Sequence, residues 1–289
     1  MDVTVSIVTY NSADCIAGCV ESVLSQSGVE SEVVIVDNAS RDDTLERVKP
    51  FASRVALLPN RENVGFGRAH NQAWKRARGR FLLALNPDAW LSRSDSLRML
   101  VDEMDRHPAW GLATPHIAGH DGPPFQESYP GQRHLRQALP ALPGQIAWVL
   151  GASMFLRGEA FDRIRGFDEA FFLYSEETDL CLRLRQAGFE IGYVPRVSVG
   201  HQGGASEKTS PPYEVWQRKQ RSVYRFFAKH YAPEDARRLM RRDLRISRFR
   251  LAMLWLTGAT ERKSAKAAKY RAMRDCAVEQ CRQLAPRRG

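Results

Sequence analysis

The chain has 289 residues, 43% hydrophobic and 26% charged, and a net charge of +10. This composition supports a large apolar core and excludes disordered, collagen-like and disulfide-framework classes. The five cysteines (Cys15, Cys19, Cys181, Cys276 and Cys281) are scattered, form no zinc-ligand spacing and fit a reduced, cytoplasmic setting. No segment approaches the roughly eighteen apolar residues of a membrane-spanning helix, and no basic-then-apolar secretory pattern is expected at the N-terminus.

Val3–Tyr10 is rich in β-branched residues and predicts a buried strand. Asn11, Ser12 and Asp14 offer capping groups for a helix with Ile16, Val20, Val23 and Leu24 on its apolar side. Glu32–Asp37 predicts a second strand ending in an acid, and Ser40–Thr44 opens another helix. Val55–Leu58 predicts a third strand, Phe66–Arg78 a helix and Phe81–Leu85 a fourth strand. Strands alternating with helices predict an α/β fold with a mainly parallel central sheet. Ligands bind such sheets beyond the carboxyl ends of the strands, where Asp37 and Asp88 fall.

Residues 115–145, rich in Pro, Gly and His, read as loop. Residues 145–204 return to regular structure, the chain from Pro211 reads as helical and basic, and Ala285–Gly289 is expected to fray. Residues 1–204 carry 21 Lys/Arg against 25 Asp/Glu, a net −4, whereas residues 205–289 carry 22 against 8, a net +14. The basic excess therefore belongs to a helical C-terminal region, residues 205–289, and asks for an anionic partner there. Between Ala236 and Leu256, seven arginines interleave with Leu, Ile, Phe, Met and Trp. That pattern suits a helix on an anionic membrane surface. A packed helix with a solvated basic face, or a homodimer contact, fits it as well; no nucleic-acid recognition motif is visible.

The densest chemistry lies in Gly166–Phe172 and Ser175–Cys181, where Asp168, Glu169, Glu176, Glu177 and Asp179 sit among aromatic residues. Acids crowded in apolar surroundings repel and lose hydration, so at least one pKa should rise towards that of a general base. A solvated helix N-terminus would also attract acids. Val36-Asp37-Asn38-Ala39-Ser40 puts a carboxylate after a core strand, placed to accept from a nucleobase imide or ribose hydroxyl, or simply to form a turn. Asn60–Asn71 joins Gly65 and Gly67 to a helix start, an arrangement suited to phosphate, although it is neither a Walker loop nor a dinucleotide fingerprint. Asn86-Pro87-Asp88 projects Asp88 from a stiff turn towards a hard divalent ion, with His201 as a second candidate ligand.

These motifs, in this order, resemble glycosyltransferase family 2, the inverting nucleotide-sugar transferases of GT-A fold, over residues 3–204. Rhamnosyl- and galactofuranosyl-type members look most similar. The resemblance implies a catalytic domain over residues 1–204. Thr9, Asn11 and Asp37 become base and ribose contacts, and Asn63, Gly65, Arg68 and Asn86 lie along the nucleotide. Asp88 matches the last acid of the family's metal-binding motif, whose first acid is replaced by Asn86, and His201 matches a metal-ligating histidine. Gly151-Ala152-Ser153 would line the acceptor side. Glu176 and Glu177 match the catalytic-base pair, with Asp179 supporting the helix behind them. The implied cofactor is Mg²⁺ or Mn²⁺, the favoured donor dTDP-rhamnose with a UDP-sugar next, and the acceptor a saccharide or polyprenyl-linked saccharide. A peripheral position on the inner face of the cytoplasmic membrane fits the basic region. A non-catalytic sugar-nucleotide or polyanion-binding protein of the same fold is the competing class. A nucleotidyltransferase lacks support, because no lysine-rich triphosphate loop follows the first strand.

Overall fold

A computed structural model describes residues 1–136, 140–203, 210–256 and 261–283. The 204/205 boundary expected from the sequence, Gly204 itself and the expected fraying of Ala285–Gly289 lie outside the described residues. The chain forms two compact units: Met1–Tyr129, Ala141–Phe172 and Glu176–Ser206 make the first, and Pro130–Pro140, Leu173–Ser175 and Glu207–Gly289 the second.

In the first unit the elements run β1 (Val3–Thr9), α1 (Ile16–Leu24), β2 (Ser31–Asp37), α2 (Thr44–Val48), β3 (Ala56–Pro59), α3 (Phe66–Trp74) and β4 (Phe81–Leu85). They continue as β5 (Ala89–Leu91), α4 (Ser96–Arg106), β6 (Trp110–Ala118), β7 (Phe125–Gln126), β8 (Trp148–Val149), β9 (Ser153–Arg157), α5 (Gly158–Arg163), α6 (Glu176–Gln186) and β10 (Glu190–His201). Among the described residues the main sheet has the order β3-β2-β1-β4-β9-β6-β10-β5. β1 pairs in parallel with both β2 and β4, while β9 and β5 run antiparallel to their neighbours. β1 and β4 are buried along their whole length, which is why they read as unbroken apolar runs. One face is covered through Ile16, Val20, Leu97, Leu100 and Met104. The other packs Phe161, Phe167, Leu180 and Leu184 against Leu82, Met154 and Leu156.

The sequence expectations need three corrections. The helix from Phe66 ends at Trp74 rather than Arg78, because Arg78 N–H leaves for Glu32 Oε1 and Gly79 N–H for Thr4 Oγ1. Residues 115–118 continue β6 instead of forming loop; β9 meets β6 only at Leu112 and Ala113, so Pro115 interrupts no ladder on that side. No side chain caps α1; the Ser12 carbonyl accepts the Cys15 and Ile16 N–H groups instead.

The second unit consists mainly of α7 (Pro212–His230), α8 (Pro233–Leu256) and α9 (Glu261–Gln283). Tyr224, Phe226 and Phe227 of α7, Leu239 and Met240 of α8, and Ala272, Cys276 and Ala277 of α9 are buried. Polar ties join the helices: Tyr213 Oη donates to Asp275 and Tyr224 Oη to Asp243.

Candidate active site

The carboxyl ends of β1 and β2 lie in one register row, so Thr9 stands opposite Asp37. Thr9 Oγ1 donates to Asp37 Oδ1 at 2.9 Å; Ser40 donates its hydroxyl to the same oxygen at 2.6 Å and its N–H to Oδ2 at 3.0 Å. Asp37 is only 1% exposed, so its visible work is to fix the turn after β2. Asn11 and Ala39 both adopt left-handed backbone, and Asn11 Oδ1 accepts the Arg41 N–H. Asn38 Nδ2 donates to the Gly65 carbonyl, and Asn63 Oδ1 accepts the Gly65 N–H. Gly65 needs its freedom: at φ +91° a Cβ would stand 2.5 Å from the Phe172 carbonyl oxygen.

Beyond β4, Asn86 N–H donates to the Ala152 carbonyl and fixes the turn that holds Asp88. Asp88 is buried, and its Oδ1 lies 3.2 Å from His201 Nε2 at the end of β10. Asn86 Nδ2 lies 3.4 Å from the same nitrogen. A carboxylate, an imidazole and an amide therefore converge, though Asp88 and His201 stand 113 positions apart in sequence. Among the described residues no group of three His, Cys, Asp or Glu side chains forms a metal cage.

The acidic cluster occupies the first turn of α6. Helix polarity favours acids there, but burial acts against their charge. Glu176 is buried with Oε2 lacking a hydrogen-bond partner, and burial first, then the Glu177 charge, raise its pKa well above the usual range. Burial likewise lifts Glu177 to about 7. A Cβ placed on Gly151 would lie 3.9 Å from the Glu177 Cβ, an ordinary van der Waals distance, so Gly151 stands directly beside this acid. Asp179 behaves differently. It is fully buried and takes Arg183 Nε at 2.7 Å, while Arg183 Nη1 donates to the Ile164 and Gly166 carbonyls. Asp179 thus braces the loop ahead of α6.

Two motifs that are separate in sequence prove to be one packed unit. Asn71 donates to the Phe167 carbonyl and accepts the Phe167 N–H, Arg68 pairs with Glu169 at 3.1 Å, and Phe66 N–H donates to the Phe172 carbonyl. A Cβ on Gly67 would press within 2.8 Å of the Phe167 Cβ. Arg68 is thus engaged with the acidic loop, and Asn71, absent from the sequence-derived site, is its main fastener. The interval of 96 residues between Asn71 and Phe167 left no local signal of this. Tyr174 and Ser175, just before Glu176, both hold positive φ, 72° and 62°. In the second unit, Ser222 Oγ donates to the Leu173 carbonyl at 2.9 Å and Lys219 Nζ sits 5.0 Å from the Tyr174 ring centroid.

Residues 4–164 match the model of glycosyl transferase family 2, and residues 91–261 match glycosyl transferase family group 2. The chain belongs to glycosyl transferase family 2. This glycosyltransferase is 26% identical over 233 residues to an N-acetylglucosaminyl-diphospho-decaprenol L-rhamnosyltransferase of Mycobacterium tuberculosis, covering 69% of this chain and 75% of the relative. It is 26% identical over 215 residues to the low-salt glycan biosynthesis hexosyltransferase Agl10 of Haloferax volcanii, covering 69% and 67%. In fold it is similar to the mannosyltransferase PcManGT from Pyrobaculum calidifontis, solved with GDP-Man and Mn²⁺, at a TM-score of 0.62 and 18% identity, with 98% of this chain and 88% of that one covered. S. aureus TarS 1-349 is similar at a TM-score of 0.57 and 19% identity, over 100% and 93% of the two chains. The GT-A fold expected from the sequence is the fold observed.

Proposed function

We propose that this glycosyltransferase moves a sugar from a nucleotide-diphosphate donor, with inversion, to a hydroxyl of a glycan or lipid-linked saccharide in cell-envelope polysaccharide synthesis. The observation that carries the reading is Glu177: a carboxyl beside Gly151 whose pKa burial raises to about 7. Such a group takes a proton at neutral pH without being too weak a base. Glu177 would accept the acceptor's hydroxyl proton as that oxygen bonds to the anomeric carbon and the bond to the diphosphate breaks on the opposite face. Glu176, buried beside it, keeps the pair from carrying two charges cheaply. Asp179, through Arg183, keeps the first turn of α6 in place.

Asp88 and His201 fit a divalent ion, Mg²⁺ or Mn²⁺, as a hard oxygen and an imidazole 3.2 Å apart. Two protein ligands are too few alone, so donor diphosphate oxygens would complete the shell. When bound, the ion would neutralise charge on the leaving diphosphate. Thr9, Asn11 and Asp37 are assigned to the base and ribose, and Asn63, Gly65, Arg68 and Asn86 to the rest of the nucleotide. For Asp37 and Arg68 this role runs through the loops they fasten. dTDP-rhamnose is the favoured donor, because the mycobacterial relative is by name a rhamnosyltransferase, and its decaprenol-linked acceptor supports a lipid-linked one here. No helix among the described residues is long and apolar enough to cross a membrane. The basic helices would instead meet an anionic membrane surface from the cytoplasmic side.

A thermal-shift panel of nucleotide sugars with Mg²⁺ or Mn²⁺, followed by donor hydrolysis, tests the reading. A donor at a hundred times its Kd stabilises by roughly 2.7 kcal/mol. A panel with neither a shift nor hydrolysis would sink it, and a product retaining the donor's anomeric configuration would sink inversion alone.

A further inference from the structure

Within the helical unit, the segment Arg133–Arg136 and α8 border two adjoining clefts of about 660 and 270 Å³. Arg136, Arg238, Arg241 and Arg245 line the larger, and Arg133, Arg242 and again Arg238 and Arg245 line the smaller. Two acids also face the larger cleft: Glu234, and Asp235, whose carboxylate takes the Arg136 N–H at 3.5 Å. Arg238, Arg241 and Arg245 recur at helical spacing on one face, and all three are exposed. Like charges so placed repel. Among the described residues no ion pair joins any of the three to a carboxylate: Asp235, three positions before Arg238, takes the Arg136 N–H, and Asp243 faces Arg242. Arg237, also lining the larger cleft, has a buried Nε with no hydrogen-bond partner. Guanidinium groups converging on a cleft match phosphate oxygens in number and geometry.

One turn beyond Arg245 the same helix changes character. Phe249, Met253, Trp255 and Leu256 stand 62, 42, 82 and 67% exposed. A phosphate-seeking cleft followed by exposed aromatic and aliphatic side chains, interleaved with Arg248 and Arg250, is the order in which a lipid presents its headgroup phosphate and its apolar part. We propose that the arginine cleft of α8 binds the phosphate or diphosphate group of a lipid, with the apolar end of the helix set into the lipid interface. The proposal rests on the membrane part of the proposed function and gives it specific residues.

Sedimentation with vesicles tests it. Three compositions are used: phosphatidylcholine alone, phosphatidylcholine with phosphatidylglycerol, and phosphatidylcholine with a polyprenyl diphosphate. The full chain should sediment with either anionic mixture and not with zwitterionic phosphatidylcholine alone; capture by one mixture only identifies the bilayer or the lipid-linked diphosphate as the source. Inorganic pyrophosphate should compete. R238Q/R241Q/R245Q should weaken vesicle binding at least about ten-fold, each basic residue near such a surface being worth about a factor of five. R47Q/K75Q/R76Q removes equal charge elsewhere and should bind normally. W255A/L256S should weaken vesicle binding and leave pyrophosphate binding intact. If the two arginine and lysine triples weaken binding equally, or the cleft triple binds as the parent does, the cleft is overturned while general membrane attraction stands. If the parent binds no vesicle, both fall, and the glycosyl-transfer reading is still judged by donor hydrolysis.

Discussion

At the sheet edge, acids are buried and held: Asp37 by Thr9 and Ser40, Asp179 by Arg183, Asp88 beside His201. On α8 the arrangement is the reverse, with arginines exposed along one face and turned to the solvent. Burial with partners fixes a charge in place, whereas exposure without them leaves it ready for a ligand. The Glu176–Glu177 pair departs from both patterns: Glu176 is buried with Oε2 unpartnered, Glu177 is half-buried, and desolvation raises both pKa values. A stable fold gains nothing from that arrangement, which supports the proposed role of the pair in proton transfer.

The strongest way to break this contrast is Glu177→Gln, which keeps size and hydrogen bonding but cannot accept a proton. We expect kcat to fall roughly 100- to 10,000-fold while donor affinity survives. In the parent enzyme kcat should rise with pH through about 7, as Glu177 loses its proton. Stability should move the other way. Folding raises this pKa from 4.5, so the folded state binds more protons between 4.5 and about 7, and stability falls as pH climbs through that window. Glu177→Gln should flatten the fall, seen as a higher Tm than the parent at pH 8 but not at pH 4. A dead Glu176→Gln with an active Glu177→Gln would move the base by one residue; two active variants would make the cluster structural.

Next in size is Asp88→Asn, which keeps the turn and removes the charge proposed to hold a divalent ion. A loss on the order of 100-fold in kcat, with weaker metal-dependent nucleotide binding, is expected from removing a metal's anchoring charge. His201→Ala should lose less in the same assay. Normal turnover by the Asn variant would detach Asp88 from the reaction.

Much of this was legible in the chain, for local reasons. β1, β2 and β4 are buried on both faces and so read as apolar runs, and Asp37 and Asp88 ended up at the strand ends where the alternating pattern put them. What stayed hidden depends on partners distant in sequence. Arg68 looked like a ligand contact, and Asn71 was given no role, because nothing nearby revealed Glu169 and Phe167 as their partners. The strand at Trp110–Ala118 hid behind its Pro and Gly content, since propensity yields where a strand is buried between neighbours. The left-handed Tyr174 and Ser175 carry no sequence signal, because neither residue type favours that conformation.

Asp37→Ala is a smaller perturbation. It removes the acceptor that holds Thr9 and Ser40, so the turn after β2 should loosen. The donor KM should rise about ten-fold with kcat less affected, the pattern of lost ground-state binding. An unchanged KM would take Asp37 out of the donor site and leave it a fold residue.

The smallest effect comes from Ser222→Ala, and it asks whether the strained turn Tyr174–Ser175 helps to aim the proposed base. Leu173–Ser175 is grouped with the helices, and Glu176 follows it directly. Two consecutive left-handed residues without glycine cost about 1–3 kcal/mol each and persist only when surroundings hold them. Ser222, bonded to the Leu173 carbonyl, and Lys219, over the Tyr174 ring, are the holders in view. Losing one hydrogen bond worth about 1 kcal/mol should let the segment sample other conformations, lowering kcat roughly three- to five-fold. Donor KM and the pH midpoint near 7 should stay put, because neither the nucleotide contacts nor the burial of Glu177 is touched. Adding Lys219→Met should deepen the kcat loss. A double variant with a lower Tm but full kcat would show that the strained turn serves the fold alone, and that the base keeps its aim from α6 and its Asp179–Arg183 brace.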